Sequence, residues 1–222
     1  MKKTNGIAIL LIAIFAMSFS GVKAQEEESP VSVGVDLYST YVWRGVAYGG
    51  PSLQPWVDFT SGGFSVGAWE SQSYDGGQEM DLYMSYAFDF GLSLGVTDYY
   101  YPGTSYFDFS DTTGAHGAEI NLGFEISDFS LSGNYMLNEA GGAGTVGGDM
   151  YFELGYTLGA VDLFVGAGDG WHTSDGEFAV CNVGLGTSKD IKITDTFTVP
   201  VSGSVILNPE TEQFYIVAGL SF

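Results

Sequence analysis

Segments of about ten residues in which apolar and polar side chains alternate recur through almost the whole chain, and residues 118–126 show the pattern most clearly. Even-numbered positions there are Ala, Ile, Leu, Phe and Ile, and the positions between them are Glu, Asn, Gly and Glu. A period of two places one set on each face of a β-strand. The apolar face of every strand must therefore be covered, either by a protein core or by lipid.

Twelve such segments can be traced between residues 31 and 222. The first two fall within residues 31–60, and the first of them continues from Val31 through Gly45. Their connections alternate between short turns, such as residues 61–63 and 127–128, and longer loops, such as residues 102–115 and 139–148. An even number of long strands with short turns at one end is typical of bacterial outer-membrane barrels. We predict an all-β fold, a twelve-stranded antiparallel transmembrane β-barrel of the outer-membrane type. The alternative is a secreted β-sandwich, whose strands usually have about five or six residues.

The first 24 residues have the features of a secretory signal peptide. Two lysines precede an apolar run at residues 7–19, and Ala24 provides a small residue for cleavage. An uncleaved anchor is the alternative, although the run is short for a membrane helix of about 20 residues. We predict a signal peptide at residues 1–24, a short acidic segment at 25–30, a barrel domain at 31–222, and export to the bacterial outer membrane.

The chain is strongly acidic, with 27 acidic residues, six basic residues and a formal net charge of −21. Such a charge repels nucleic acid, so no nucleic-acid partner is expected. Acidic chains are often disordered, but disordered chains have few aromatic residues, and this chain has 16 Phe, 14 Tyr and 4 Trp. Cys181 is the single cysteine, which excludes a disulfide within the chain.

If the apolar faces point to lipid, the polar faces enclose a lumen. The predicted lumen-lining residues are Asp36, Tyr38, Arg44, Trp56, Asp58, Asp81, Tyr83, Glu119, Asn121, Glu125, Tyr151 and Glu153. Acidic rings in a pore favour cations, so a weak cation preference is expected. The alternative is that these groups hydrogen-bond across a narrow lumen and fill a closed barrel.

Arg44 is the only arginine in the chain. It shares its parity with Asp36, and Asp58 lies on the neighbouring predicted strand, so a structural ion pair is one expectation. A ligand-gripping role is the alternative, because a guanidinium can hold a carboxylate bidentately. Aromatic residues near strand ends, including Tyr41, Trp43 and Tyr99, are expected in the girdles at the membrane interfaces.

Residues 39–45, with the sequence STYVWRG, are followed by Pro51, Leu53 and Gln54. This pattern resembles the first hairpin of the TorF-type porin family, which implies a porin-like barrel and says little about substrate. The last segment, residues 214–222, ends on Phe222 and resembles the terminal strand that the barrel-assembly machinery recognises. The expected partners are that machinery, outer-membrane lipid and small solutes.

Features of an enzyme are sparse. The only histidines are His116 and His172, neither has a serine at a telling spacing, and no G-x-S-x-G occurs. Two separated histidines without a cysteine partner do not make a zinc site. The acidic residues of the loops are expected to be solvated, and weak Ca²⁺ binding by them is the alternative. We therefore expect no enzyme activity and no cofactor. The predicted function is passive diffusion of small solutes, and the alternative is a non-conducting barrel with a structural, adhesive or ligand-binding role.

Overall fold

The computed structural model describes residues 29–222, which form fourteen strands and one short 3-10 helix. The strands are β1 Val31–Tyr38, β2 Tyr41–Trp43, β3 Val46–Gly49, β4 Ser52–Ser61, β5 Phe64–Ser73, β6 Gln78–Ala87, β7 Leu92–Tyr100, β8 His116–Ile126, β9 Phe129–Met136, β10 Met150–Leu158, β11 Val161–Gly168, β12 Ala179–Lys192, β13 Thr198–Asn208 and β14 Gln213–Ser221; the 3-10 helix is Gly170–His172. The predicted signal peptide and most of the acidic segment lie outside the described residues.

Twelve of these strands form one closed antiparallel barrel, in which each strand pairs with its neighbours along the chain and β1 pairs with β14 and β4. The backbone groups of Val35 and Phe222 exchange two hydrogen bonds of 3.0 Å, which join the last strand to the first. Closure leaves no sheet edge, and a closed sheet is what lipid demands of a β structure. The predicted fold class is confirmed.

The outer face of the barrel is apolar and the inner face is polar. Ile120 and Leu122 of β8 are 42% and 45% exposed, whereas Glu119, which directly precedes Ile120, is 1% exposed. Asp81 of β6 is fully buried inside, and its neighbour Leu82 points outward. An exposed apolar face around a buried polar interior is the arrangement of a transmembrane barrel. Among residues 29–222, no helix is long and apolar enough to span a membrane.

The two remaining strands, β2 and β3, pair only with each other and lie inside the barrel. We call residues 41–49 the inner hairpin. The sequence pattern had extended the first wall strand through residue 45, and this prediction was wrong, because the wall strand ends at Tyr38 and the chain bends at Ser39 and Thr40. Tyr41 and Trp43, which were expected in a membrane girdle, are 9% and 7% exposed in the barrel interior.

The long loops lie at one end of the barrel and the short turns at the other, and we call these ends the loop side and the turn side. The inner hairpin replaces the loop between β1 and β4, so it enters the lumen from the loop side. Tyr99 at the end of β7, Glu119 near the start of β8 and Asn208 at the end of β13 surround it there.

Candidate functional site

The tip of the inner hairpin is a tight two-residue turn formed by Arg44 and Gly45. Both residues have positive φ, at 50° and 83°, which is the requirement of a type I′ hairpin turn. Gly45 also lies against the opposite wall, because a Cβ built on it would be 1.9 Å from the carbonyl oxygen of Cys181. Position 45 therefore needs glycine both for its backbone conformation and for this close approach.

Arg44 anchors the hairpin to the far wall. Its Nη1 donates to Oε1 of Glu119 at 2.7 Å, and its Nη2 donates to Oε2 at 2.9 Å. The guanidinium carbon lies 4.3 Å from the ring centroid of Trp43 and 4.7 Å from that of Tyr151. Arg44 thus forms a bidentate ion pair between two aromatic faces, an arrangement that lysine could not reproduce. The ion-pair partner is Glu119, which the sequence had not singled out over Asp36 and Asp58.

The carboxylate of Glu119 is held by several further donors. The hydroxyl of Tyr99 donates to it at 2.9 Å, and Nδ2 of Asn121 donates at 2.6 Å. The side chain of Asn121 also contacts Asn134 on β9 and accepts from Thr97 on β7. The acceptor of the ion pair is therefore held by contacts among β7, β8 and β9 that do not involve the hairpin, which favours a single position of the guanidinium.

An aromatic cluster surrounds the hairpin on the loop side. Its buried members are Tyr41, Trp43, Trp69 and Tyr99, with Met136 beside them. The ring centroid of Trp43 lies 5.5 Å from that of Tyr99 and 6.1 Å from that of Trp171 in the 3-10 helix. Edge-to-face pairs at such distances add to the stabilisation from burial. The cluster fills the loop side of the lumen.

Burial shapes the protonation of groups in the loops that contact the hairpin. Burial lowers the pKa of His172 to about 2, with a further contribution from Arg44, so its imidazole is neutral. Burial also disfavours the charge on Arg44, but Glu119 outweighs this effect and raises the pKa of the guanidinium. The pKa of Asp149 is raised by burial, although the hydroxyl of Thr145 donates to it and opposes that shift.

Two further carboxylates lie beside the hairpin with few donors. Oε2 of Glu79 accepts from the hydroxyl of Tyr41 at 3.3 Å. Asp81 is fully buried, and neither of its carboxylate oxygens has a hydrogen-bond partner. A buried carboxylate without donors costs stability, so Asp81 makes the loop side of the lumen less stable than a fully paired group would.

The turn side of the lumen is different, because it contains a cavity of about 240 Å³. The inner hairpin forms its roof through Trp43, Arg44 and Gly45, and its walls come from β8 to β13. Its lining includes the carboxylates of Glu125, Glu153 and Asp162 and the amide of Asn182. We call it the turn-side cavity. The inward residues of β12 and β13 here include Gly186, Ser188 and Ser202, whose small size leaves this space open.

The predicted lumen residues fall into three groups, and all twelve are buried or half-buried. Arg44, Glu119, Asn121 and Tyr151 form or border the anchor of the hairpin, and Asp81 lies near it. Glu125 and Glu153 line the turn-side cavity. The remaining five, Asp36, Tyr38, Trp56, Asp58 and Tyr83, lie on β1, β4 and β6.

Large side chains of the group on β1, β4 and β6 pack over glycines of neighbouring strands on the inner face. The hydroxyl of Tyr83 donates to Asp58 at 2.7 Å. A Cβ at Gly67 would lie 2.2 Å from that carboxylate, and a Cβ at Gly34 would lie 2.3 Å from the ring of Trp56. The large side chains therefore occupy space that glycines on adjacent strands leave free.

Sequence reasoning missed Glu79, Trp171 and Asn182 as parts of this site. Glu79 lies just before the segment in which apolar and polar residues alternate from Met80 onward, and Trp171 lies in a loop whose path the alternation does not describe. Asn182 follows Cys181 at an irregularity in the pairing of β11 with β12, where the register shifts by one residue. A bulge changes the parity only of the residues on its other side, and Asn182 keeps the parity of the inward-facing Gly184 and Gly186. The alternation therefore placed Asn182 on the polar face but did not single it out.

His116 lies on the outer face at the loop side and does not form a catalytic triad. Its Nδ1 contacts the Asp98 carboxylate at 2.9 Å, and its Nε2 contacts the carbonyl oxygen of Tyr106 at 2.6 Å. Both ring nitrogens therefore have oxygen partners, and neither partner is a serine hydroxyl. The rings of Tyr100 and Phe109 stack on the imidazole, so this histidine fixes a loop against the rim.

Solved structures with a similar fold are mutants of the porin from Rh. blastica. One has 15% sequence identity and a TM-score of 0.41, and the match covers 88% of this chain and 74% of the porin. A second has 14% identity, a TM-score of 0.42 and the same coverage. A third has 15% identity and a TM-score of 0.40, and this chain spans 55% of its length. No curated protein matches the chain.

A family model matches residues 24–199, which include the inner hairpin and the barrel strands β1 to β12. The model describes bacterial proteins of unknown function. The narrower resemblance to the TorF-type porins stays a prediction. The match extends over most of the sequence, and this chain belongs to the Gcw_chp family.

Proposed function

We propose that this protein is an outer-membrane channel for the passive diffusion of small solutes, with a weak preference for cations, and that the inner hairpin closes it on the loop side. The observation that carries the proposal is the separate hairpin inside a barrel that is already closed without it. A lumen rich in carboxylates opposes anions and favours cations. Passive diffusion needs no cofactor and no turnover.

The way the hairpin is held supports a movable closure. Its strands make no ladder with the barrel wall. Discrete side-chain contacts hold it, chiefly the Arg44 ion pair and a 3.1 Å hydrogen bond that Nδ2 of Asn208 donates to the carbonyl of Gly45. Loss of these contacts would release residues 41–49 while every barrel strand keeps its partners. Segments with this kind of attachment open locally below the global unfolding free energy.

Membrane partners follow from the same architecture. The apolar belt suits outer-membrane lipid, which agrees with the proposed location. Export by a signal peptide and recognition of the terminal strand by the barrel-assembly machinery remain part of the proposal. Truncation of Phe222 is expected to lower the amount of folded barrel in the outer membrane, while unchanged assembly would remove that partner.

The test is conductance in planar bilayers, with wild type compared with a variant whose residues 41–49 are replaced by a flexible Gly-Ser linker. Wild type is expected to be closed for most of the time, and the variant is expected to give ohmic current steps. In a salt gradient, the reversal potential of the variant should indicate cation preference. Heat-modifiable migration on gels should first establish that both proteins are folded barrels.

Silence of the folded variant would contradict the channel and favour the second candidate, a non-conducting barrel. That candidate has an observation of its own, since the hairpin and the aromatic cluster fill the loop side as a core would. Current that is equal in both proteins would contradict a closing role for the hairpin and leave a permanently open pore.

A further inference from the structure

The turn-side cavity has two hydrogen-bond acceptors without partners. Asn182 is 6% exposed and lines the cavity. Its Nδ2 donates to the Tyr151 hydroxyl and to Oε2 of Glu153, both at 2.9 Å. Since only the amide nitrogen can donate to a carboxylate, this contact fixes the orientation of the amide. Oδ1 of Asn182 then remains without a partner.

The second unpartnered acceptor belongs to Glu125 on the opposite side of the cavity lining. Its Oε1 is buried and has no hydrogen-bond partner in the structure. Buried polar atoms are almost always paired, so a donor from water or from a ligand must meet each of these two acceptors. Both atoms accept, and a ligand that satisfies both must carry at least two N–H or O–H groups.

Charge narrows the class of ligand further. Three carboxylates line the cavity, those of Glu125, Glu153 and Asp162. Arg44 is the one cation in the lining, and its charge is already paired with Glu119. The net field in the cavity is therefore negative and favours a cationic ligand. The ring of Phe164 in the wall offers an apolar surface for the carbon atoms of such a ligand.

The spacing of the carboxylates argues against a metal ion. Among residues 29–222, no three His, Cys, Asp or Glu side chains are close enough together to hold a metal. A ligand must therefore reach separate acceptors, as an organic molecule does. The volume of about 240 Å³ lies just below the roughly 300–1,000 Å³ of pockets for drug-sized ligands, so the ligand is small.

We infer that the turn-side cavity is a binding site for a small organic amine with two or more N–H donors, which reaches Oδ1 of Asn182 and the carboxylate of Glu125. Ligand enters from the turn side, where Asp162 and Ser188 are exposed to solvent. The inner hairpin blocks the site from the loop side. The site exists in the closed barrel, so it goes beyond the proposed channel and does not require that the barrel conduct.

Calorimetry on the folded barrel in detergent tests the site, with diaminobutane as the probe and butanediol as its uncharged counterpart. The diamine is expected to saturate a single site below about 10 mM, and the diol is expected to bind at least about tenfold more weakly. Absence of saturable heat from the diamine would overturn the inference. Equal binding of diamine and diol would also overturn it, because the carboxylates would then play no part.

Glu125→Gln and Asp128→Asn form a matched pair of variants. Both remove one carboxylate near the turn side, but Asp128 is exposed in the turn and does not line the cavity. Glu125→Gln should weaken diamine binding about tenfold or more, and Asp128→Asn should leave it unchanged. Equal weakening in both would indicate attraction to the acidic surface alone and would overturn the site. Conductance of the hairpin-replaced barrel is a separate readout, so failure of the channel and failure of the site can be distinguished.

Discussion

The two ends of the lumen are lined by the same alternating strands, but they are filled in different ways. The loop side holds the inner hairpin, a bidentate ion pair and buried aromatic rings. The turn side holds a cavity beside β8 to β13, where small inward residues such as Ser188 and Ser202 lie between the carboxylates of Glu125, Glu153 and Asp162. The period of two therefore accounts for the barrel wall, whereas the inner hairpin between β1 and β4 accounts for how the loop side of the lumen is filled.

Removal of the ion pair between Arg44 and Glu119 should have the largest effect on the difference between the two ends. Glu119→Gln leaves Arg44 buried without its carboxylate, and breaking a buried pair costs about 3–5 kcal/mol. The hairpin is expected to leave its site, so its amide hydrogens should exchange faster and bilayer current should rise. The double variant with Arg44→Gln is the control, because it leaves no uncompensated charge and should recover part of the protection. Equal loss of protection in single and double variants would mean that the ion pair does not hold the hairpin.

The hairpin tip offers a second way to open the loop side. In Gly45→Ala, the added methyl group meets the carbonyl oxygen of Cys181, and φ of 83° is strained for alanine. The combined cost is about 2–4 kcal/mol of docking free energy, seen as a higher open probability in bilayers. Gly62→Ala is the matched control, because φ is 60° but nothing lies within 4 Å. If the two variants raised the open probability equally, the contact between position 45 and the carbonyl oxygen of Cys181 would not be the cause.

A substitution of Asp81 tests whether the buried groups of the loop side are arranged for maximum stability. Asp81→Asn replaces a buried carboxyl group, whose oxygens accept no hydrogen bond from residues 29–222, with a side chain that cannot ionise, so the barrel is expected to gain about 1–3 kcal/mol in its free energy of unfolding. The midpoint of unfolding in urea measures this change. Asp162→Asn serves as the control, since Asp162 is exposed and accepts from Thr157, and little change is expected. A loss of stability in Asp81→Asn would show that the charge has a partner in the folded protein.

The smallest expected effect concerns pH. Burial lowers the pKa of His172 from 6.5 to about 2, so the released state binds a proton that the docked state does not as pH falls below 6.5. Docking therefore weakens as the solution is acidified, by about 1–2 kcal/mol near about pH 5. The raised pKa of Asp149 acts in the opposite direction.

The open probability of wild type in bilayers should thus rise on acidification, and that of His172→Gln should rise less. Glu119 and Asp149 are present in both proteins, so the difference isolates the histidine. Identical pH profiles would exclude His172 as the cause.

The wall of this barrel could be predicted from the sequence because a lipid-facing strand keeps a strict period of two over about ten residues. The inner hairpin could not, since residues 41–43 also alternate and nothing in their pattern distinguishes a wall strand from a strand inside the lumen. Tyr41 and Trp43 were assigned to the interface because aromatic residues suit both a girdle and a core. The partner of Arg44 depends on which walls face each other across the lumen, and alternation carries no information about that.

The pair Arg44-Gly45 was nevertheless a usable signal. Gly45 fits the second position of a two-residue turn in which both residues have positive φ, although the first position usually holds Asn, Asp or Gly and not arginine. A tight turn there, six residues before Pro51, would have required a separate hairpin within the first loop. Asn182 offered no comparable signal, because it is one of many polar residues on the inward parity and nothing in the sequence sets it apart from them.

Reactivity of the native thiol gives the most direct test of whether the hairpin is docked. Cys181 is the only cysteine and is fully buried, and its carbonyl oxygen lies against Gly45 at the hairpin tip. With a thiol reagent, the folded wild type is expected to react about a hundredfold more slowly than the folded barrel whose residues 41–49 are replaced by a linker. Equal rates in the two folded proteins would contradict a hairpin that closes the loop side of the lumen.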